Sequence, residues 1–145
     1  MFKSKINIAL FFGGRSAEHE VSLLSARSIY QAFNKEKYNI FPIAISKNGF
    51  FLELKDSKKI LLGDQQSVLK VKRDNILPQS VLQLLEKEVD LVFPVLHGPY
   101  GEDGKIQGFL DTLNIKYIGC DLTSSAVGMD KAVMKQIFSY YDIPQ

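Results

Sequence analysis

The sequence has little of what a disulfide-stapled or metal-held domain needs. Its 145 residues include one cysteine (Cys120), two histidines and no tryptophan. A single cysteine excludes an internal disulfide and favours a reducing compartment. Because these histidines and this cysteine show no zinc-ligand spacing, we predict no metal-binding residues in the chain. A chain of this length buries enough surface to fold without such staples.

The chain also lacks a strong charge bias and a long apolar run. Eighteen Lys and Arg residues against 16 Asp and Glu leave a formal net charge of +2, too small to predict a nucleic-acid or anionic-membrane partner. No apolar stretch is long enough to cross a bilayer. Residues 1–5 run into the first predicted strand without a signal-peptide cleavage site. We therefore expect a cytoplasmic protein with no membrane partner.

What the chain does have is two glycine-marked loops, each directly after a strand-like apolar run. Residues 6–12 lead into Gly13-Gly14-Arg15-Ser16-Ala17-Glu18-His19-Glu20, and residues 91–96 lead into His97-Gly98-Pro99-Tyr100-Gly101-Glu102-Asp103-Gly104. In a parallel sheet both loops would open at the carboxyl edge, where such folds bind ligands. Glu18 and His97 would bring titratable groups to that edge. The leading hypothesis is therefore a small-molecule site.

The order of elements predicts a three-layer, Rossmann-like α/β domain with a mainly parallel sheet. Residues 50–54 read as a strand after the turn Lys47-Asn48-Gly49, and the lysine-rich stretch 55–75 as an edge hairpin insertion with a weak strand at 68–71. The fully apolar run 91–96 is typical of a central strand. The other elements are expected as strands at 6–12, 40–45 and 116–118, and as helices at 17–33, 78–88, after Asp103 and at 131–141, with Ser16 and Asp130 as N-caps.

Glu18 is the strongest candidate for a functional acid. Helical projection places it with Val21, Leu23 and Ala26 on the apolar side of the first helix, near the Gly13-Gly14 loop, with Arg27 opposite in solvent. A carboxylate on an apolar face is costly unless a cation or a hydrogen-bond donor meets it. That cost favours a functional role for Glu18.

Each motif has a plainer interpretation when taken alone. The first loop is neither a Walker A loop nor a G-x-G-x-x-G fingerprint, so it could be only a tight turn. The second could be a mobile surface loop, with His97 simply hydrogen-bonded at a strand end. Lys131 opposes the dipole of its helix, which a bound phosphate would relieve, but taken alone it reads more simply as a lysine that extends into water. Cys120 reads as a small buried residue.

Together these segments resemble the amino-terminal part of D-alanine–D-alanine ligases, members of the ATP-grasp superfamily. The match is carried by residues 13–22, by residues 97–104 and by Gly128-Met129-Asp130-Lys131, in the family's order. The resemblance implies a pre-ATP-grasp domain and ATP- and Mg²⁺-dependent joining of two D-alanine molecules for bacterial peptidoglycan. In that reaction ATP phosphorylates one D-alanine carboxylate, and the second amine attacks the acylphosphate.

The resemblance also implies roles for individual residues. Glu18 matches the catalytic acid that holds the ammonium of the first D-alanine. His97 matches a histidine near the carboxylate of that substrate, and Lys131 a lysine directed at the ATP phosphates. The substrate pocket would be completed by Gly98, which shapes it, and by Ser16 and Val21, which set the first loop.

At the level of domains, the resemblance implies a substrate domain at residues 1–121 and a linking helix at 122–145. That helix would lead into an absent central and ATP-grasp part that holds most of the ATP and Mg²⁺ contacts. The chain alone is therefore expected not to catalyse ligation, and a homodimer is expected. Two alternatives stay open: a non-catalytic regulatory domain that binds a small molecule, and a family member that uses D-lactate or D-serine as second substrate.

Overall fold

A computed structural model of the chain describes residues 5–64 and 76–145. In this part of the chain nine elements follow one another, in the order β1 (Ile6–Gly13), α1 (His19–Ala32), β2 (Tyr38–Ile45), α2 (Leu54–Leu61), α3 (Gln79–Lys87), β3 (Leu91–Leu96), α4 (Lys105–Thr112), α5 (Leu122–Met129) and α6 (Lys131–Tyr140).

The described strands form one parallel sheet in the order β2-β1-β3. Gly13 at the end of β1 pairs in register with Ile45 of β2 and Leu96 of β3, so the carboxyl ends of all three strands are level. Of the three strands β1 is the middle one, and β3 has side chains buried on both faces, as predicted. On its other side β3 makes a single parallel bridge, Val92 to Tyr117, which is all that forms of the strand predicted at 116–118.

Helices cover both faces of this sheet, which confirms the three-layer α/β fold. Ala9 and Phe11 of β1 face the layer of α3 and α4, where Val81, Leu85, Ile106 and Leu110 are buried. Leu10 and Phe12 face the layer of α1 and α2. Ala9, Leu10, Phe11 and Phe12 are each 0% exposed, as expected of a strand covered on both faces.

The region after β2 differs from the predicted hairpin. Among the described residues after β2, only Phe51 bridges back to Ile45 in antiparallel fashion, and Leu54 begins a helix instead of ending a strand. Ser57, Ile60 and Leu61 of α2 are buried at helical spacing. The Ser57 hydroxyl accepts the Ala44 N–H at 2.9 Å, which docks α2 onto β2. The weak strand predicted at 68–71 lies outside the described residues.

Helix α1 starts later and turns differently from the prediction. Ser22, Leu23 and Ala26 face the sheet, whereas Val21, expected to be buried, is 51% exposed. Arg27 was expected in solvent. Its guanidinium instead donates to the carbonyls of Ile60 at 3.1 Å and Leu61 at 3.0 Å, and so caps the end of α2.

Helices α5 and α6 lie at the periphery and bury none of their residues. Their junction is at Asp130, whose Oδ1 accepts the N–H groups of Ala132 at 3.0 Å and Val133 at 3.1 Å. This confirms Asp130 as an N-cap. Cys120, just before α5, is exposed and not buried as predicted. Within residues 5–64 and 76–145, every helix is too short or too polar to pass through a membrane.

Candidate functional site

The two glycine loops lie side by side at the carboxyl edge of the sheet, as the sequence predicted. Gly13 has a φ of +89° and Gly14 a φ of +92°. A Cβ on Gly13 would lie 2.4 Å from the carbonyl oxygen of Ile45, so only glycine fits there. The Gly14 N–H donates to the same carbonyl at 2.8 Å, which turns the chain sharply at the end of β1.

The turn after Gly14 presents Glu18 to solvent. The Ser16 hydroxyl accepts the Glu18 N–H at 3.1 Å, so Ser16 stabilises the turn but is not the N-cap. The N-cap residue of α1 is Glu18 itself, and its side chain makes no capping bond. The predicted burial of Glu18 on the apolar face is wrong, because the helix begins one residue after it. A functional role for Glu18 is therefore supported by the residues around it and not by the cost of burying its carboxylate.

The second loop is compact, which argues against the plainer interpretation of a mobile loop. Gly98 has a φ of +69°, and its N–H donates to the Glu102 carboxylate at 2.6 Å. The Gly98 carbonyl in turn accepts the N–H groups of Gly101 at 3.1 Å and Glu102 at 3.0 Å. A Cβ on Gly101 would lie 2.5 Å from the Cβ of Leu96, so the loop folds back tightly on β3.

Gly98 is the point where the two loops meet. A Cβ on Gly98 would lie 3.3 Å from the Cβ of Ser16 and 3.9 Å from the carboxyl carbon of Glu18. The adjacent His97 is half-buried, with its Nε2 3.2 Å from the Ser25 hydroxyl of α1. The structure thus places Ser16, Glu18, His97 and Gly98 at one edge, while the exposed Val21 lies one turn along α1.

Two residues of this edge were missed from the sequence, His19 and Ser22. His19 is 5% exposed, and its Nδ1 is 2.7 Å from the Gly14 carbonyl oxygen. Ser22 is 0% exposed; its hydroxyl accepts the Gly13 N–H at 2.7 Å and donates to the Val95 carbonyl. The available signal was their i, i+3 spacing, which puts two polar residues on the buried face of α1.

A cavity of about 190 Å³ opens beside the loops on the α4 side, lined largely by apolar residues. At this cavity Tyr100 lies between two cations, with the Arg15 guanidinium 4.4 Å and the Lys105 ammonium 4.9 Å from its ring centroid. Lys105 also pairs with Asp103. Burial acts to raise the pKa of Asp103, but the hydrogen bonds from Lys105 and from backbone amides outweigh it and lower that pKa.

A wider cleft of about 600 Å³ lies on the other side of β3, between His97 and α5. Its lining includes Gln107, whose Nε2 donates to the Gly101 carbonyl at 3.1 Å. The Gln107 Oε1 is buried with no hydrogen-bond partner among the described residues. Met129 at the end of α5 borders the cleft. Lys131 follows two residues later, exposed in the first turn of α6 and outside the cleft lining.

The described residues do not fit a magnesium ion. Nowhere in 5–64 and 76–145 do three His, Cys, Asp or Glu side chains cluster closely enough to hold a metal. Hard cations such as Mg²⁺ require converging oxygen ligands.

Comparison with known proteins adds family membership to this geometry. Residues 7–120 match the family model for the D-ala D-ala ligase N-terminus. A D-alanine–D-alanine ligase of Halothermothrix orenii is 51% identical over 98% of this chain, and one of Bacillus pumilus is 38% identical over 97%. The chain spans 41% of the length of each of these relatives.

Solved structures agree in fold. The D-alanine–D-alanine ligase of Coxiella burnetii superposes with a TM-score of 0.80 at 31% identity, over 98% of this chain and 43% of that protein. The VanG D-Ala:D-Ser ligase of Enterococcus faecalis gives a TM-score of 0.72 at 34% identity, over 95% of this chain and 42% of that one. The chain therefore belongs to the family of D-alanine–D-alanine ligases and corresponds to their N-terminal domain.

Proposed function

We propose that this chain forms the first-substrate side of an ATP-dependent D-alanine–D-alanine ligase that serves peptidoglycan synthesis in the cytoplasm. The observation that carries the proposal is the meeting of the two glycine loops at Gly98, with Glu18 beside it and His97 next to it in the chain. Membership of the ligase family supports the assignment of the substrate.

An amino acid presents an ammonium and a carboxylate a few ångströms apart, and the proposed site offers a group for each. The exposed Glu18 carboxylate, which makes no capping bond, is available to bind the ammonium of the first D-alanine. The contact with Ser25 orients His97, which contributes a ring near the substrate carboxylate. Gly98 keeps this edge open, because a Cβ there would lie 3.3 Å from the Ser16 Cβ and 3.9 Å from the Glu18 carboxyl carbon.

The chemistry that this site serves begins with transfer of the γ-phosphoryl group of ATP to the carboxylate of the first D-alanine. The amine of the second D-alanine then attacks that acylphosphate, forms the peptide bond and releases phosphate. Lys131, exposed in the first turn of α6, is the cation we assign to the ATP phosphates. Asp130 already caps the amides of that turn, so the contribution of this helix end rests on the Lys131 ammonium.

We further propose that residues 1–121 form the substrate domain and that residues 122–145 connect it to the part that holds ATP and Mg²⁺. The support is that α5, α6 and the residues just after α6 expose an apolar set that a neighbouring domain would cover: Leu122, Met129, Val133, Ile137, Tyr140, Tyr141 and Ile143. Assembly as a homodimer stays a prediction from the family resemblance.

The test is ligation by the full-length protein, followed as D-alanine-dependent phosphate release from ATP. Glu18→Gln removes the charge that binds the ammonium, and Lys131→Ala removes the cation for phosphate. Each should reduce kcat/KM roughly a hundredfold or more.

Matched controls are available on the same helices. Glu20→Gln alters an exposed carboxylate that pairs with Lys47 at 3.0 Å, and Lys135→Ala alters an exposed lysine one turn after Lys131. Both controls should stay within about threefold of the unmodified enzyme. Unmodified rates for Glu18→Gln would contradict the role assigned to the carboxylate.

The similarity to a D-Ala:D-Ser ligase keeps a second candidate, a ligase that prefers another second substrate. The same assay with D-serine or D-lactate in place of the second D-alanine decides between them. A higher kcat/KM for either one than for D-alanine would favour this alternative.

A further inference from the structure

The start of α1 is held by bonds that do not involve its N-cap side chain. Helix N-caps ordinarily use a short side chain to accept an N–H of the first turn. Glu18 holds that position here and makes no such bond, so its carboxylate takes no part in the cap. Something else must therefore fix the direction in which the helix leaves the loop.

His19 supplies the first of these bonds. Its Nδ1 is 2.7 Å from the Gly14 carbonyl oxygen, and because a carbonyl only accepts, Nδ1 must carry the hydrogen. The ring also packs on the glycine before it: a Cβ on Gly13 would lie 2.9 Å from the His19 Cε1. At 5% exposure this bond is shielded from competing water.

Ser22 supplies the second, one turn later on the same face of α1. Its hydroxyl accepts the Gly13 N–H at 2.7 Å and donates to the Val95 carbonyl, so it joins the end of β1 to the end of β3. The two glycines are thus tied to α1 from consecutive turns, and the loop between them and the helix has little freedom to move.

We propose that His19 is a positioning residue for the Glu18 carboxylate. By anchoring Gly14, the imidazole fixes the turn of residues 15–18 so that the carboxyl carbon of Glu18 stays beside Gly98. This division of labour lets the N-cap residue serve the substrate while its neighbour secures the helix. The inference rests on the proposed function, since it concerns the acid that binds the first D-alanine.

The test compares His19→Asn with His19→Leu in the full-length protein. Asparagine keeps an N–H donor at nearly the place of Nδ1, whereas leucine keeps a similar branched shape and has no donor. We expect His19→Leu to raise the KM for the first D-alanine roughly tenfold, with the KM for ATP and kcat changed much less. His19→Asn should restore the KM for D-alanine to within about threefold of the unmodified value.

An unchanged KM for D-alanine in His19→Leu would overturn the inference, as would equal damage in the two variants or an equal rise in the KM for ATP. If His19→Leu does not fold, the ¹⁵N NMR spectrum of the unmodified full-length protein decides. An Nδ1–H tautomer of His19 supports the anchor, and an Nε2–H tautomer with bare Nδ1 overturns it. An unmodified protein without ligase activity would instead refute the proposed function, so the two failures are distinguishable.

Discussion

Single residues determine how tightly the first loop can turn. Gly13 combines a φ of +89° with a gap so narrow that its missing Cβ would meet the Ile45 carbonyl at 2.4 Å. Gly63 shares the left-handed conformation, with a φ of +112°, but no described residue lies within 4 Å of its missing Cβ. The pair separates the cost of the backbone conformation from the cost of the steric clash.

We therefore predict that Gly63→Ala costs about 1–2 kcal/mol, the cost of the left-handed conformation alone. Gly13→Ala should cost about 1–3 kcal/mol more, because the Ile45 backbone must move. Urea unfolding of both variants measures the difference. Equal losses of stability would show that the gap at Gly13 opens freely.

At the scale of elements, the sequence predicted those strands, helices and caps that are determined by residues close to one another in the chain. The strand at 91–96, the helix after Pro78 and the cap at Asp130 depend on neighbouring residues, and all three are confirmed. The start of α1 and the docking of α2 depend on particular hydrogen bonds: His19 binds Gly14 across the loop, and Ser57 of α2 binds Ala44 of β2. Helical spacing in the sequence indicates that these polar side chains are buried, but it does not identify the groups that they bind.

The candidate site was predictable where it depends on the order of strands and loops, and not where it depends on the detailed conformation of the first loop. The strand-loop pattern brought Glu18 and His97 to one edge, because the carboxyl ends of parallel strands are level. The predicted burial of Glu18 failed because the helix starts at His19, two residues later than predicted, which removes the Glu18 side chain from the helix. The contributions of His19 and Ser22 required knowledge of the loop conformation.

The turn that enters α4 gives a prediction about pH. The net effect of its hydrogen bonds, chiefly from Lys105, lowers the pKa of Asp103. Because the pKa of Asp103 is lower in the folded than in the unfolded protein, the ionised carboxylate stabilises the fold at pH values above the unfolded pKa of about 3.9. This stabilisation is lost as the pH falls through the folded pKa. The stability advantage over Asp103→Asn should therefore be constant from about pH 7 to 5 and shrink below about pH 4.

Unfolding free energies of the two proteins across this pH range test the prediction. In a Lys105→Met background the pH-dependent part of the stability difference between the protein with Asp103 and its Asp103→Asn variant should decrease, because the side-chain hydrogen bond from Lys105 that lowers the Asp103 pKa is gone. An advantage that persists unchanged to pH 2 would contradict the assigned cause.

At the scale of the whole molecule, stability is unevenly distributed. The four consecutive residues Ala9, Leu10, Phe11 and Phe12 are each 0% exposed, whereas neither α5 nor α6 has a buried residue. Packing of the sheet layers therefore cannot stabilise α6 in the chain by itself, and most of its stability must come from local hydrogen bonds and its Asp130 cap.

Amide hydrogen exchange of this chain should show the difference directly. We expect the amides of β1 to exchange slowest and those of α6 to exchange at least a hundredfold faster, because α6 can open without disturbing the core. In the full-length protein the same α6 amides should become protected. Equal protection of β1 and α6 in the chain alone would show that the terminal helices are part of the core.

The pairing of Gly13 with Leu96 has a consequence for ligand size. Because both loops depart from the same rung of adjacent strands, their origins are one interstrand spacing apart, roughly 4.8 Å. Backbone hydrogen bonding between β1 and β3 therefore sets the distance between the two loops where they leave the sheet. Substitutions on the loops change the side chains around the site but not this distance. If the first D-alanine binds at this edge as proposed, a base of that width favours compact amino acids over bulky ones.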